Sequence, residues 1–206
     1  MGSTDSDTRT IHTVAVTGST GLVGKALCEE LHKQGYHVIR LVRDDARGLD
    51  DRTWNPTNPN PAVLDGVQAV IHLAGENTEG IWTPDKKRRI RDSRVIPTHK
   101  LAELAAQSDT VTTFICASAI GVYGDNRGAE VLTEASVPGD DYFADVVQKW
   151  EGACQPARAA GKRVVNVRTG IVLSRDGGVL PPVSYTHLRA HETLRHIVCR
   201  LLLEKQ

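Results

Sequence analysis

The stretch Val14-Ala15-Val16-Thr17-Gly18-Ser19-Thr20-Gly21-Leu22-Val23-Gly24 joins an apolar run to three glycines spaced three residues apart. The apolar run predicts a buried strand, and the apolar period that continues after the glycines predicts a helix. The spacing G-x-x-G-x-x-G is a variant of the dinucleotide fingerprint, in which glycines allow a tight turn and let the backbone approach a pyrophosphate. A helix start also favours phosphate. Because glycine turns also join strands to helices without any ligand, this simpler interpretation stays open.

The composition is that of a single domain of ordinary size. The chain has 206 residues, with 25 Lys and Arg against 25 Asp and Glu, so its formal net charge is zero. A neutral chain gives no electrostatic reason to bind nucleic acid or an anionic membrane. The four cysteines form no C-x-x-C pair, and no signal peptide or long apolar run is found. We therefore expect a cytoplasmic protein with reduced thiols and no membrane partner.

The second predicted strand, His37–Val42, bears on the choice of nicotinamide cofactor. At the end of this strand an acid would bind the ribose 2′-OH of NAD, whereas an arginine would accommodate the 2′-phosphate of NADP. Arg43 comes first after the strand and Asp44 second. We therefore expect NADP rather than NAD. A solvated Arg–Asp pair at a strand end is the alternative interpretation.

Two further apolar runs, at residues 67–73 and 111–116, predict strands. The small turn Leu73-Ala74-Gly75 after the first would leave room for a cofactor at the carboxyl edge of a parallel sheet. Residues 85–94 between the two runs are densely basic. This run is isolated and lacks interleaved aromatic residues, so we interpret it as the solvated face of a helix and expect no nucleic-acid partner. His72 is expected to be a core residue without a catalytic role.

Several short motifs follow the glycine stretch. They are Leu73-Ala74-Gly75, Ser118-Ala119-Ile120-Gly121-Val122-Tyr123-Gly124-Asp125, Trp150-Glu151 and Val167-Arg168-Thr169-Gly170-Ile171-Val172-Leu173. Together they resemble the extended short-chain dehydrogenase/reductases, and more narrowly the epimerase family branch that is similar to nucleotide-sugar epimerases. The resemblance runs from about Val14 to Pro182. It implies an α/β fold with a doubly wound parallel sheet of the Rossmann type, NADP(H) as cofactor and a small-molecule, sugar-like substrate.

The resemblance also implies which residues contact the cofactor. The glycine stretch would line the pyrophosphate, and the turn after the third strand would meet the adenosine half. The implied cofactor residues are Gly18, Thr20, Gly21, Leu22, Val23, Arg43, Leu73, Ala74, Arg94 and Val172. Among them, Arg43 would contact the 2′-phosphate. Arg94 would lie deeper in the site, and Val172 would lie near the nicotinamide.

The catalytic pattern of the wider superfamily is incomplete in this chain. That pattern is a serine at a strand end with a tyrosine and a lysine spaced Y-x-x-x-K on one helix, where the lysine lowers the tyrosine pKa for proton exchange. Ser118 fits the serine role, and Tyr142 is the candidate for the proton. Counted back from Trp150-Glu151, however, the tyrosine and lysine positions hold Phe143 and Val147.

Two functions remain open from these residues. An NADP(H)-dependent epimerase or oxidoreductase would exchange hydride with a carbon that bears oxygen. A protein that binds NADPH without turnover, as a redox sensor or regulator, would need the glycine turn but not the Tyr/Lys pair. The first is the principal expectation and the second its alternative.

The change in composition along the chain sets the expected boundaries. Residues 1–12 are expected to be a disordered tail, and residues 13–182 an incomplete NAD(P)-binding domain. The back-translation of residues 183–206 resembles a sequencing adapter, so we expect this tail not to be native and reject a metal site at its histidines and cysteine. The native protein is then expected to continue past Pro182. Neither the substrate nor the oligomeric state is predicted.

Overall fold

The computed structural model describes residues 12–43, 46–78, 80–174 and 177–178. The chain divides into two units, residues 1–168 and residues 169–206. Apart from residue 12, the predicted tails at residues 1–12 and 183–206 lie outside the described residues, as does Asp44.

Six strands form one sheet in the order β3-β2-β1-β4-β5-β6. They are β1 Thr13–Thr17, β2 His37–Val42, β3 Asp51–Thr53, β4 Ala69–His72, β5 Thr113–Ala119 and β6 Arg163–Thr169. The pairs β1–β2, β1–β4, β2–β3 and β4–β5 are all parallel. The strand order reverses between β1 and β4, and in such sheets ligands bind at the carboxyl ends of the strands beside this point. The predicted doubly wound fold is confirmed.

The central strands are continuous apolar runs because both faces of the sheet are covered. Ala15 belongs to one cluster of core side chains, together with Phe114 and Trp150. Its neighbours Val14 and Val16 belong to a second cluster. Because successive side chains of a strand point to opposite faces, the two clusters lie on opposite sides of the sheet.

The helices connect these strands. They are α1 Leu22–Lys33, α2 Pro84–Gln107, α3 Tyr142–Gly152 and α4 Gln155–Ala159, with short 3-10 helices at Pro61–Leu64 and Ile120–Tyr123. The basic run at residues 85–94 lies in α2, as predicted, and Lys86 and Arg89 form ion pairs with Glu76. Among the described helices, none combines the length and the apolar character needed to cross a bilayer.

The end of the sheet differs from what the sequence indicates. The sequence of residues 162–173 predicts one further strand, and Asp176-Gly177-Gly178 after it predicts a turn. In the structure β6 ends at Thr169, Leu173–Ser174 forms a separate strand, β7, and β7 pairs antiparallel with Gly177–Gly178, β8. Both predictions are wrong here: the apolar side chains of Ile171 and Leu173 are 75% and 64% exposed, so no core continues along this segment.

Candidate functional site

Backbone atoms approach very closely at the turn between β1 and α1. Gly18 has a φ of +69°, and a Cβ atom on it would lie 2.9 Å from the backbone nitrogen of Ala74. A Cβ atom on Gly24 would lie 2.1 Å from the carbonyl oxygen of Gly18. A residue with a Cβ atom would therefore clash with the backbone at both positions, so only glycine fits. The first and third glycines of the motif therefore bring the turn against the loop after β4 and bring α1 against the turn.

Helix α1 begins with backbone donors that no side chain caps. Its N-cap residue is Gly21, and its first turn contains no acidic residue. The N–H groups of Leu22 and Val23 precede the hydrogen-bonded ladder of the helix and point out of its positive end. Such a helix start is a ready site for a phosphate group. Thr20, beside it, is exposed.

Ser19 adds a buried polar atom to this turn. The residue is only 4% exposed, and its Oγ atom has no hydrogen-bond partner among the described residues. Burying a hydroxyl group without a partner costs free energy. An unpartnered hydroxyl group beside an uncapped helix start is the arrangement expected of a turn that receives an anionic ligand. The residues present therefore fit the phosphates of a dinucleotide.

Thr17 joins the glycine turn to the loop after β4. Its Oγ1 atom accepts hydrogen bonds from the N–H groups of Leu73, at 3.1 Å, and Ala74, at 3.2 Å. The same oxygen lies 2.7 Å from Nδ1 of His72. Because a threonine hydroxyl group has one proton and two acceptor positions, that proton is donated to Nδ1 of His72. Two of the predicted cofactor residues, Leu73 and Ala74, are thereby held against Gly18.

This bond also determines the state of His72. Nδ1 accepts a hydrogen bond from Thr17, so the neutral ring carries its proton on Nε2, which has no partner among the described residues. The ring is fully buried, and burial lowers the pKa of His72 to about 4. The prediction that His72 is a core residue is confirmed by its burial. The role of Thr17 was not predicted from the sequence, although a polar residue at the end of a buried strand was a usable signal.

Arg94 lies on α2 beneath the same loop. Its guanidinium group donates to the carbonyl oxygens of Ile90 and Glu76, each at 3.0 Å, and its Cζ atom lies 5.3 Å from the centre of the Trp150 ring. Burial lowers the pKa of Arg94. In the described part of the chain, no carboxylate forms an ion pair with it. A cation without an anionic partner is thus held at the carboxyl edge of the sheet.

The other predicted cofactor residues are less enclosed. Arg43 is exposed at the end of β2 and has no ion pair within the described residues. Val23 is 47% exposed at the start of α1. Val172 belongs to the second unit, between β6 and β7. The contacts of Arg43 and Val172 with a cofactor stay predictions.

Ser118 belongs to a network that joins β5, α3 and β6. Its hydroxyl group donates to Oε1 of Glu151 at 2.5 Å, and Arg168 donates to both carboxylate oxygens of Glu151, at 2.9 and 3.0 Å. Burial acts to raise the pKa of Glu151, but the bonds from Arg168 and Ser118 lower it below its usual value. Arg168 also donates to the Tyr123 hydroxyl group at 3.0 Å. Three motifs of the sequence analysis therefore meet in one network, although their separation along the chain hid this contact.

The Tyr142 hydroxyl group forms its hydrogen bond outside this network. Its hydroxyl group donates to the carbonyl oxygen of Lys87 at 2.6 Å, and burial raises its pKa. Phe143 packs against Trp82, with 4.3 Å between ring centres, and Val147 is buried. A raised pKa is the opposite of the effect that lysine has in the Y-x-x-x-K pair. The described contacts give Tyr142 a packing role between α2 and α3, and its part in proton transfer stays a prediction.

Comparison with a family model and with curated proteins identifies epimerase-type proteins in both cases. The model of the NAD dependent epimerase/dehydratase family matches residues 14–187. An epimerase family protein of Mycobacterium leprae is 40% identical over 171 residues, which cover 81% of this chain and 55% of the relative. The chain therefore spans about half the length of the curated relatives it matches.

Two solved structures are similar in both sequence and fold. A nucleoside-diphosphate sugar epimerase from Corynebacterium glutamicum is 46% identical with a TM-score of 0.79, and the match covers 88% of this chain and 38% of that one. The human epimerase family protein SDR39U1, solved with NADPH, is 28% identical with a TM-score of 0.72, and the match covers 84% of this chain and 58% of that one.

Proposed function

Because this chain belongs to the NAD dependent epimerase/dehydratase family, we propose that it binds NADP(H) and exchanges a hydride with a carbon that bears oxygen in a sugar-like molecule. The human relative was solved with NADPH, and the Corynebacterium structure is of a nucleoside-diphosphate sugar epimerase. The human structure supports a nicotinamide dinucleotide as cofactor, and the Corynebacterium structure supports a sugar-like substrate. Since the chain spans about half of its relatives, the reaction and the substrate are proposals for the whole protein.

The observation that carries this proposal is the cradle at the carboxyl ends of β1 and β4. At Gly18 the turn has no side-chain atoms, and Thr17 holds the loop at Leu73 and Ala74 against it. Helix α1 begins beside this turn without a side-chain cap. In this proposal the N–H groups of Leu22 and Val23 bind the pyrophosphate. Arg43, beyond the end of β2, would accommodate the 2′-phosphate of NADP.

The proposed chemistry divides between the cofactor and the chain. The bound nicotinamide supplies the carbon that accepts or donates hydride. Ser118 orients the substrate oxygen. Because its only proton is donated to Glu151, Ser118 would act as an acceptor and orient the substrate through a substrate hydroxyl group. Tyr142 is the proposed proton-exchanging group, and it would have to release the carbonyl oxygen of Lys87 to act.

The test uses the 206-residue chain. Titration calorimetry with NADPH and NADH should show binding of NADPH. Absorbance at 340 nm should then report oxidation of NADPH by a ketone, an aldehyde or a nucleotide sugar, or reduction of NADP⁺ by an alcohol. Failure to bind either dinucleotide would contradict the whole proposal. Binding of NADPH without turnover of any substrate class would contradict hydride transfer and leave cofactor binding in place.

A further inference from the structure

Three aromatic side chains form a partly exposed cluster where α2 and α3 begin. The ring centres of Trp82 and Phe143 lie 4.3 Å apart, and that of Tyr142 lies 6.1 Å from the first and 5.8 Å from the second. Phe143 is 42% exposed, although phenylalanine is among the residue types most often buried. We call these three residues the aromatic surface. Exposed apolar groups that adjoin one another mark binding sites, whereas a single exposed one does not.

The aromatic surface adjoins the proposed position of the substrate. A Cβ atom on Gly121 would lie 3.6 Å from Cβ of Phe143, and Gly121 belongs to the short helix that follows Ser118 at the end of β5. Ile120, in the same short helix, is 51% exposed. In doubly wound sheets, ligands bind beyond the carboxyl ends of the strands. A substrate that contacts Ser118 would therefore extend onto the aromatic surface.

The hydrogen-bond donors of the aromatic surface are already used within the chain. Nε1 of Trp82 donates to the carbonyl oxygen of Thr78 at 2.9 Å, and the Tyr142 hydroxyl group donates to that of Lys87 at 2.6 Å. A sugar ring carries several hydroxyl groups, and each needs a hydrogen-bond partner when it is buried against protein. The aromatic surface instead presents ring faces and edges, against which flat apolar rings pack well.

Lys87 adds a positive charge to the aromatic surface. Its Nζ atom lies 5.1 Å from the centre of the Tyr142 ring, and in the part of the chain that the structure describes no carboxylate pairs with it. The two acids that act on Tyr142 have cationic partners of their own, Asp92 with Arg91 and Asp145 with Lys149. An anionic group of a ligand on this surface would therefore bind at Lys87.

We infer that the aromatic surface and Lys87 bind a part of the substrate in which a flat apolar ring is joined to a phosphate or a carboxylate. The ring packs on Trp82 and Phe143, and the anionic group pairs with Lys87. These three residues determine specificity without taking part in hydride transfer. The inference rests on the proposed function, because it places the reacting carbon of the substrate at Ser118 and the flat ring beyond it.

The experiment uses the fluorescence of Trp82, which is more exposed than Trp54 and Trp150, at 3% and 7%. Protection of Trp82 from quenching by acrylamide is titrated on the 206-residue chain with four probes. Phenyl phosphate and phenylacetate should protect it. Benzyl alcohol, which lacks the charge, and glucose 6-phosphate, which lacks the flat ring, should each bind at least about tenfold more weakly. Stronger binding of phenyl phosphate would assign a phosphate to Lys87, and stronger binding of phenylacetate a carboxylate.

Variants separate the two contacts. Phe143→Ala should weaken phenyl phosphate and phenylacetate about tenfold, and Phe143→Tyr, which keeps the ring, should retain their binding. Lys87→Gln should weaken both anions and leave benzyl alcohol unchanged. Lys100→Gln is the matched control, because Lys100 is thirteen residues further along α2, about 20 Å away. Trp82→Phe should abolish the signal, and melting curves check that each variant is folded.

Several results would overturn the inference. The first is that neither phenyl phosphate nor phenylacetate protects Trp82, and the second is that glucose 6-phosphate binds as well as they do. The third is that Phe143→Ala converts a dimer to a monomer in light scattering without weakening the probes, since the surface would then be an interface between copies. Calorimetry with NADPH tests the proposed function separately: absence of NADPH binding would contradict that function and leave the result for the aromatic surface unchanged.

Discussion

Thr17 uses every hydrogen-bonding position of its hydroxyl group. It accepts from two backbone N–H groups of the loop after β4 and donates to His72, and all four groups lie at the carboxyl ends of β1 and β4. One side chain therefore determines both the position of the loop and the tautomer of the imidazole. The candidate site depends on it although it need not touch the cofactor.

Replacement of Thr17 by valine should show this dependence. Thr17→Val keeps the shape but leaves Nδ1 of His72 without a donor and weakens the bonding of Leu73 and Ala74, so we expect the free energy of unfolding to fall by about 3 kcal/mol. Urea denaturation measures this change. Thr17→Ser, which keeps the hydroxyl group, should retain most of the stability. Equal losses in the two variants would show that the methyl group and not the hydrogen bonds matters.

Gly18 and Gly35 form a matched pair for testing the close approach at the turn. Both have positive φ, +69° and +84°, so alanine strains the backbone at each by about 1 kcal/mol. Only at Gly18 would the added Cβ atom meet the loop after β4; at Gly35 nothing lies within 4 Å. We expect Gly18→Ala to abolish NADPH binding and Gly35→Ala to preserve it, as measured by calorimetry. Loss of binding in both variants would attribute the effect to backbone strain alone.

His72 should make stability depend on pH. Its pKa falls from 6.5 to about 4 on folding, so between these values the unfolded chain binds more protons than the folded chain. The contribution is fully present above pH 6.5 and declines as the pH falls to about 4, by about 3 kcal/mol in total. Urea denaturation from pH 4 to 7 should show a shallower slope for His72→Gln than for the unmodified chain. Identical slopes would mean that folding does not change the pKa of His72.

At the scale of elements, the bond network of Ser118, Glu151 and Arg168 connects a strand, a helix and a further strand. The Glu151 and Arg168 side chains are 17% and 21% exposed, so water screens them only in part. The bonds between Arg168 and Glu151 lower the pKa of Glu151 and raise the pKa of Arg168. Both groups therefore stay charged at neutral pH, and their pairing stabilises the positions of α3 and β6 relative to β5.

A double-mutant cycle should detect this coupling. Glu151→Gln or Arg168→Gln alone leaves one half-buried charge without its partner, and each should lower the free energy of unfolding by about 2 kcal/mol, less than for a fully buried pair. The double variant should lose less than the sum of the two. Because the pKa of Glu151 is lowered by folding, the contribution is present above its ordinary pKa and is lost as the pH falls below it. Additive losses in urea denaturation would contradict the coupling.

At the scale of the whole molecule, local sequence patterns predicted the strands and the glycine turn, but they did not predict the contacts between side chains that are distant in the sequence. The apolar runs of β1, β2, β4 and β5 were visible because each strand is buried on both faces. β3, Asp51–Thr53, was not visible, since its three residues carry no apolar pattern and Asp51 is held by Arg40. The glycine turn could be predicted from the spacing of the glycines alone.

The contacts between distant residues could not be predicted in the same way. Thr17 and His72 are 55 residues apart, and Ser118 and Glu151 are 33 apart. Their meeting depends on the strand order and on the packing of α3, which no local period encodes. The unpartnered state of Ser19 likewise follows from the three-dimensional surroundings of a residue whose type alone says little.

Thr17 and His72 are also direct neighbours in the register of β1 and β4. The Thr17 hydroxyl group can donate its proton only to His72, because its acceptor positions are filled by the N–H groups of Leu73 and Ala74. Residues 17 and 72 therefore depend on each other. Replacement of His72 by an apolar residue would leave the Thr17 hydroxyl proton without an acceptor. Replacement of Thr17 by an apolar residue would leave Nδ1 of His72 without a donor. Among proteins with this fold and this loop, residues 17 and 72 should therefore covary, and an alignment in which they change independently would show that the pair is dispensable.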